Sequence, residues 1–177
     1  MFVRNGAASS GGTLPPQQLK APCASKRWSM ILPVSVNLKE IEKKGRSYPW
    51  LRPEICLCCR QSHVWGHGFV EALFDGYAKA LLLRRYRCPG CGCVIKLRPK
   101  VYFSRFQATI ETIRSHILTR LQAGRWPQGP SSARCRHWLR ALKRQVVAHL
   151  GIEWLRRLPE AFDQLVSLGK VPVSRRI

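Results

Sequence analysis

Acidic residues are scarce in this chain of 177 residues: nine Asp and Glu stand against 31 Lys and Arg, a formal net charge of +22. Such an imbalance lies far from the composition of a typical soluble enzyme. An excess of one sign repels itself in the compact state and is relieved by a polyanion, so nucleic acid is the leading partner. There is also no run of 18 apolar residues, which argues against a membrane span, and the opening MFVRNGAASSGG lacks the apolar core of a secretory signal. A cytoplasmic, nucleoid-associated location is therefore expected. The length leaves room for one ordinary domain or two very small ones with tails, not for a large catalytic core.

The charge is not confined to one tail. Basic against acidic residues number 8 to 2 over 1–50, 9 to 3 over 51–102 and 14 to 4 over 103–177. Arginine supplies 21 of the 31 cations, a bias that suits forked contacts to phosphates and base edges.

Cysteine, by contrast, is plentiful. Eight cysteines without an export signal point to metal ligation rather than disulfides, and six of them fall between Cys56 and Cys93. Cys23 and Cys135 are outliers, read as ordinary thiols. Cys56-Leu57-Cys58-Cys59 and Cys88-Pro89-Gly90-Cys91 make two CxxC corners with 28 residues between them. Two such corners supply the four thiolates that tetrahedral zinc takes, which predicts one structural Zn2+ held by Cys56, Cys59, Cys88 and Cys91. Cys58 and Cys93 stand as alternates, and His63 with His67 could build a competing Cys-His site, although strand positions are the favoured reading for both. A closed four-sulfur set has no position for a reactive water, so no catalytic residue is assigned.

Hydropathy patterning divides the chain. Residues 1–45 are expected to be a disordered basic segment, with Met30 as an alternative start that intact mass would reveal. Residues 46–102 form the predicted zinc ribbon, with strands over 63–74, 79–87 and 93–98. Asp75-Gly76 marks the hairpin, and Tyr77 and Ala78 allow a longer loop. Residues 103–170 form the predicted helical domain and 171–177 a basic tail.

In the helical part, Phe106, Ile110, Ile113, Ile117 and Leu121 recur at helical spacing, which predicts a helix from about Arg105 to Ala123, capped by Ser104 with Gln107 and closed by Gly124. A second helix starts at Ser131 or Ser132 and reaches Leu150. It carries Cys135, Leu139, Leu142, Val146 and Leu150 on one side and Arg136, His137, Arg140, Lys143 and Arg144 on the other. A helical turn over 152–157 and a last helix opened by Pro159 follow, with Leu158, Phe162 and Leu165 facing inward. The fold class is thus α+β: a small three-stranded zinc ribbon followed by a helical, helix-turn-helix-like bundle.

A strand ending in a metal corner presents side chains at fixed intervals, so Arg84, Arg85 and Arg87, continued by Arg98 and Lys100, are candidate nucleic-acid contacts together with Arg136, Arg140, Lys143 and Arg144. Trp126 and Trp138 are read as core or staple residues before base-stacking ones. The stretch RRYRCPGCGCVIKLRP, preceded by a CxxC corner and a hairpin and followed by helices, resembles the zinc-ribbon and helix-turn-helix N-terminal region of bacterial insertion-sequence transposases. The resemblance spans about residues 55–150 and implies a zinc-dependent head that recognises duplex DNA at terminal repeats. It carries over only Cys56, Cys59, Cys88 and Cys91 as ligands and Arg84, Arg85 and Arg87 as the basic strand.

Two departures stand out. Arg60 occupies a position where glycine is common, and the chain ends where such transposases go on to a catalytic domain with three metal-binding carboxylates. The nine acids, from Glu40 to Asp163, are scattered without such a trio. The expectation is a recognition module or accessory protein rather than a recombinase, with catalysis left to a separate transposase subunit. A structural RNA-binding protein of the ribosomal type is the first alternative, and a small nuclease built on His63 or His67 with Glu71 the second.

Overall fold

The computed structural model of the chain describes residues 29–177. It is α+β, and its sheet has four strands rather than three: β1 (Ser29–Val34), β2 (Trp65–Ala72), β3 (Leu81–Arg87) and β4 (Val94–Pro99), in the order β1-β4-β3-β2. The extra strand comes from the segment expected to be disordered. Met30, Leu32 and Val34 alternate inward and pair in parallel with β4, Met30 opposite Ile95 and Leu32 opposite Leu97. A six-residue strand whose partner lies some 65 positions away has no local signature beyond that alternation. Residues 1–28, including Cys23, lie outside the described residues.

After β1, Asn37 accepts hydrogen bonds from the Lys39 and Glu40 amides and starts a short helix, α1 (Leu38–Lys44), again within the segment expected to lack structure. Its Leu38 and Ile41 are buried with Leu81, Leu83, Phe74 and Tyr102. Tyr86 is buried instead with Ile95, Leu97, Cys56, Val64 and Cys88. Since side chains alternate along a strand, Leu83 and Tyr86 point to opposite faces. The sheet therefore has a core on each side, which is why the run Leu81-Leu82-Leu83 and the later Tyr86 both find cover. β2 and β3 are antiparallel and joined by a loop of residues 73–80, longer than a two-residue hairpin, with Gly76 at φ +86° in its turn.

Three longer helices follow: α2 (Ile110–Ala123), α3 (Ser132–His149) and α4 (Leu158–Ser167). Their shared core holds Ile113, Ile117, Trp138, Leu142, Val146, Phe162 and Leu165. The predicted start of α2 near Arg105 moves to Ile110, because Phe103, Phe106 and Ala108 pack against that core from an irregular segment whose Gln107 carbonyl accepts the Asp75 amide. The cap is Thr109, not Ser104: its hydroxyl accepts from the Thr112 amide at 2.9 Å. Thr109→Ala is expected to lower stability by about 1 kcal/mol, read from denaturant unfolding followed by far-UV circular dichroism. Gly124 closes α2 at φ +67°, and Ser131 caps α3.

The turn over Ile152–Arg157 is a 3-10 helix, and Pro159 lies in the first turn of α4. The tail is more than a basic extension. Pro172 and Val173 are buried, and the buried Gln145 side chain of α3 donates to the carbonyls of Ser174 and Arg176.

The sheet's core and the helical core meet at 102–103. Tyr102 is buried in the sheet's core and Phe103, the next residue, in the helical one. Arg98 straps the joint, donating to the carbonyls of Phe103 and Phe106 while lying over the Phe74 ring. Among the described residues, no helix is long and apolar enough to cross a membrane.

Candidate metal centre and the basic face of the third helix

β3 delivers Cys88 at its end, and the chain turns through Cys88-Pro89-Gly90-Cys91 before entering β4. The Cys88 amide donates to the Cys93 carbonyl at 2.9 Å and the Gly92 amide to the Cys88 carbonyl at 3.0 Å. The first corner repeats both bonds at the same offsets: the Cys56 amide donates to the Gln61 carbonyl and the Arg60 amide to the Cys56 carbonyl, each at 2.8 Å. Arg60 thus takes the place that Gly92 holds in the second corner, and the two residues have φ of +62° and +69°. That equivalence gives the physical meaning of the departure at Arg60. A side chain there occupies the left-handed region at a cost of about 1 kcal/mol, so Arg60→Gly is expected to stabilise the corner by that order. Chemical denaturation of the two proteins under the same metal load would measure the gain.

The two corners bring Cys56, Cys59, Cys88 and Cys91 together, with all four Sγ atoms within 4.8 Å of one another. Cys56 and Cys91 are 3.6 Å apart and Cys59 and Cys88 3.5 Å. A tetrahedron of sulfurs at about 2.3 Å from a central ion has edges of roughly 3.8 Å. The spacing therefore fits sulfurs arranged around a metal ion, and it is far longer than the roughly 2.05 Å of a disulfide bond. Cys56 and Cys88 are fully buried, Cys59 and Cys91 partly so.

Burial opposes ionisation of Cys56, yet the Cys59 and Cys58 backbone groups and the neighbouring Cys91 and Cys88 thiols outweigh it and hold its pKa at about 7. Burial pushes the Cys91 thiol strongly upward, with the other three sulfurs adding to that rise. One anionic sulfur thus forms readily and opposes the next, which is the electrostatic state that a cation at the centre relieves.

The cluster excludes the alternates. Cys58 is exposed at the surface of the first corner, and Cys93 is buried two residues beyond the end of the second. His67 is an exposed residue of β2, as expected, whereas His63 lies before the strand at φ +66°, within 2.8 Å of the Ser62 hydroxyl; neither belongs to a metal-holding group among the described residues.

Comparison with protein-family models, curated proteins and solved structures returns no match to this chain.

The candidate nucleic-acid residues separate into two sets. Those near the metal centre do not form the even stripe expected from strand periodicity. Arg84 lies over the rings of Phe69 and Tyr86, at 4.7 and 5.6 Å; Arg85 has its Nε buried; Arg87 is exposed at the strand end. Arg98 is the strap described above, half-buried, so its place on an open stripe is corrected: two carbonyls and an aromatic ring occupy its guanidinium. Lys100 is exposed beyond β4.

The second set is coherent. Arg136, Arg140, Lys143 and Arg144 are all exposed along α3, whose other side buries Cys135, Trp138, Leu142 and Val146. No Asp or Glu occurs anywhere in its eighteen residues. On one flank, Arg136 and Arg140 line a cavity of about 480 Å³ with Arg120 and Trp126, the Arg120 guanidinium lying 5.6 Å from the Trp126 ring. Trp138 is core, as expected, and Trp126 packs against the core while forming that wall. Sequence patterning missed Arg120 here. Its position on α2 gave no sign that the helix end turns toward α3.

Proposed function

We propose that the chain is a zinc-stabilised module that binds duplex DNA and carries no catalytic centre of its own, akin to the recognition heads of insertion-sequence transposases. The observation that carries this reading is α3: eighteen residues with no acid, whose Arg136, Arg140, Lys143 and Arg144 are exposed on the side away from its buried apolar back. Cations with no carboxylate on their own helix to neutralise them are best served by phosphates. A helix of this kind, preceded by a packed partner helix, also has the form that enters a major groove.

Zinc is the metal that four thiolates in two CxxC corners favour, and its role is structural because the sulfurs leave no open position. The ion would fix the end of β3 and the first corner, a role in folding rather than in chemistry. The likeness to transposase heads supplies the choice of duplex DNA, with terminal repeats as the natural target and a separate subunit for strand transfer.

The test is selection of the zinc-loaded protein against a randomised duplex pool at near-physiological salt. Enrichment of a defined motif is the expected result. Retention of all sequences alike would reduce α3 to a phosphate grip, and preference for structured RNA over duplex at matched salt would replace this reading with the RNA-binding one.

A further inference from the structure

On the flank of α3 opposite the Trp126 cavity, an open cleft of about 810 Å³ lies between the helix, the segment before α2 and the C-terminal tail. Five basic side chains from three separate stretches of chain line it: Arg105, Arg134, His137, Arg175 and Arg176. Only Arg134 has a carboxylate partner among the described residues, Asp75 at 2.9 Å. Such convergence is unfavourable in the free protein, and the fold holds it in place by specific means.

Gln145, 3% exposed, fixes the tail by bonding to the carbonyls of Ser174 and Arg176, and Val173 is buried beside it. These bonds use the tail's backbone, which leaves the guanidiniums of Arg175 and Arg176 for the cleft. Arg105 is carried at φ +67°, a conformation that a non-glycine residue adopts at a cost. Arg134 is stacked 5.1 Å from the Trp138 ring. Arg175 donates to His137 Nε2 at 3.4 Å, so the imidazole there serves as an acceptor.

We propose that this cleft is a clamp for a backbone phosphodiester of a nucleic acid, placed so that a strand leaving the front of α3 is gripped between helix and tail; this inference rests on the nucleic-acid reading above. A phosphodiester supplies the anionic oxygens that the guanidiniums of Arg105, Arg175 and Arg176 lack, and a guanidinium fork matches its geometry.

The imidazole adds a proton-linked signature. Burial first, and then Arg175, Arg140 and Arg144, hold His137 below its ordinary pKa in the free protein. The groups facing it are Arg134, Arg140 and Arg144 from α3, Arg175 and Arg176 from the tail and Arg105 from the segment before α2, with Asp75 the one acid bonded among them. A phosphate in the cleft opposes that cationic field and raises the His137 pKa, so binding takes up a proton and strengthens as pH falls through the interval between the free and bound values.

The experiment compares the full chain with its Arg175→Gln/Arg176→Gln variant, in which the backbone carbonyls bonded by Gln145 are retained. Duplex affinity is measured by fluorescence anisotropy across a salt series, and the His137 ring is followed by NMR through a pH titration with and without duplex, and separately with inorganic tripolyphosphate. The slope of log affinity against log salt is expected to become shallower by about 2 in the variant, since each phosphate contact contributes about 0.9. The His137 pKa is expected to rise on adding duplex to the natural chain and not to the variant.

Tight duplex binding with an unchanged slope and an unmoved His137 would overturn the clamp and leave the DNA reading standing. Failure of the natural chain to bind duplex would remove the DNA reading, and tripolyphosphate would then decide the cleft. A His137 response present in the natural chain and lost in the variant would support a phosphate site, and no response would overturn it. A response to tripolyphosphate alone, with duplex bound but His137 unmoved by it, would assign the cleft to free phosphate compounds and overturn the diester clamp.

Discussion

Cys88→Ser, or removal of the metal by a chelator, is expected to unfold the sheet from the first corner to the end of β4 while α2, α3 and α4 keep their structure. The asymmetry follows from where the apolar surface lies. Cys56, Cys88 and Cys93 are themselves part of the small core that buries Tyr86, Ile95 and Leu97, and the exposed strand β2 adds little to it. On the proposed reading, zinc binding contributes on the order of 10–16 kcal/mol to such a small module, more than its apolar burial alone supplies. The helices instead share a core of aromatic and branched residues, none within the metal corners. Hydrogen exchange is the direct measurement: amides of Tyr86, Ile95 and Leu97 are expected to lose protection, and those of Leu142 and Val146 to keep it. Cys58→Ser, exposed and outside the cluster, is the control expected to retain both. Undiminished protection of the sheet after chelation would remove the metal from the account of the fold.

Replacing Arg136, Arg140 and Arg144 together by Gln is expected to weaken duplex binding a hundredfold or more, taking about 1 kcal/mol as the lower bound for each arginine contact. The three are exposed on the side of α3 away from the buried Trp138, Leu142 and Val146, so the helix should fold unchanged, and far-UV circular dichroism with thermal melting would verify it. Two outcomes carry different meanings. A uniform loss over all sequences, with the salt slope falling by about 3, would mark phosphate contacts. A loss confined to the selected motif would mark base readout. Unaltered affinity would leave α3 without its proposed part in recognition.

What could be read from the sequence was what is local. The two CxxC corners pointed to Cys56, Cys59, Cys88 and Cys91 over the alternates Cys58 and Cys93, and the structure brings those four sulfurs together where they could hold a metal ion. The apolar and basic sides of α3 followed from helical periodicity. The misses share a different character. β1 depends on a parallel partner far along the chain, so its six residues looked like the end of an unstructured leader. Phe106 fitted the helical spacing of Ile110 and Ile113 although it packs from a loop, because burial rather than helix geometry set its position. Arg98 looked like any other arginine of the basic sequence until the fold placed two carbonyls and a phenyl ring around it. The tail looked basic and unattached, since nothing in VPVSRRI signals that Gln145 would tether its backbone.

The meeting of Tyr102 and Phe103 has a mechanical consequence. With each ring anchored in its own core, only the backbone torsions between the two residues are left to turn, and Arg98 spans that point by bonding to the carbonyls of Phe103 and Phe106. The link between sheet and helices is thus a short pivot that Arg98 restrains from one side. Arg98 is the latch of that pivot: with its two bonds in place the sheet and the helices are tied at one point, and without them any swing between the two is left to the backbone alone.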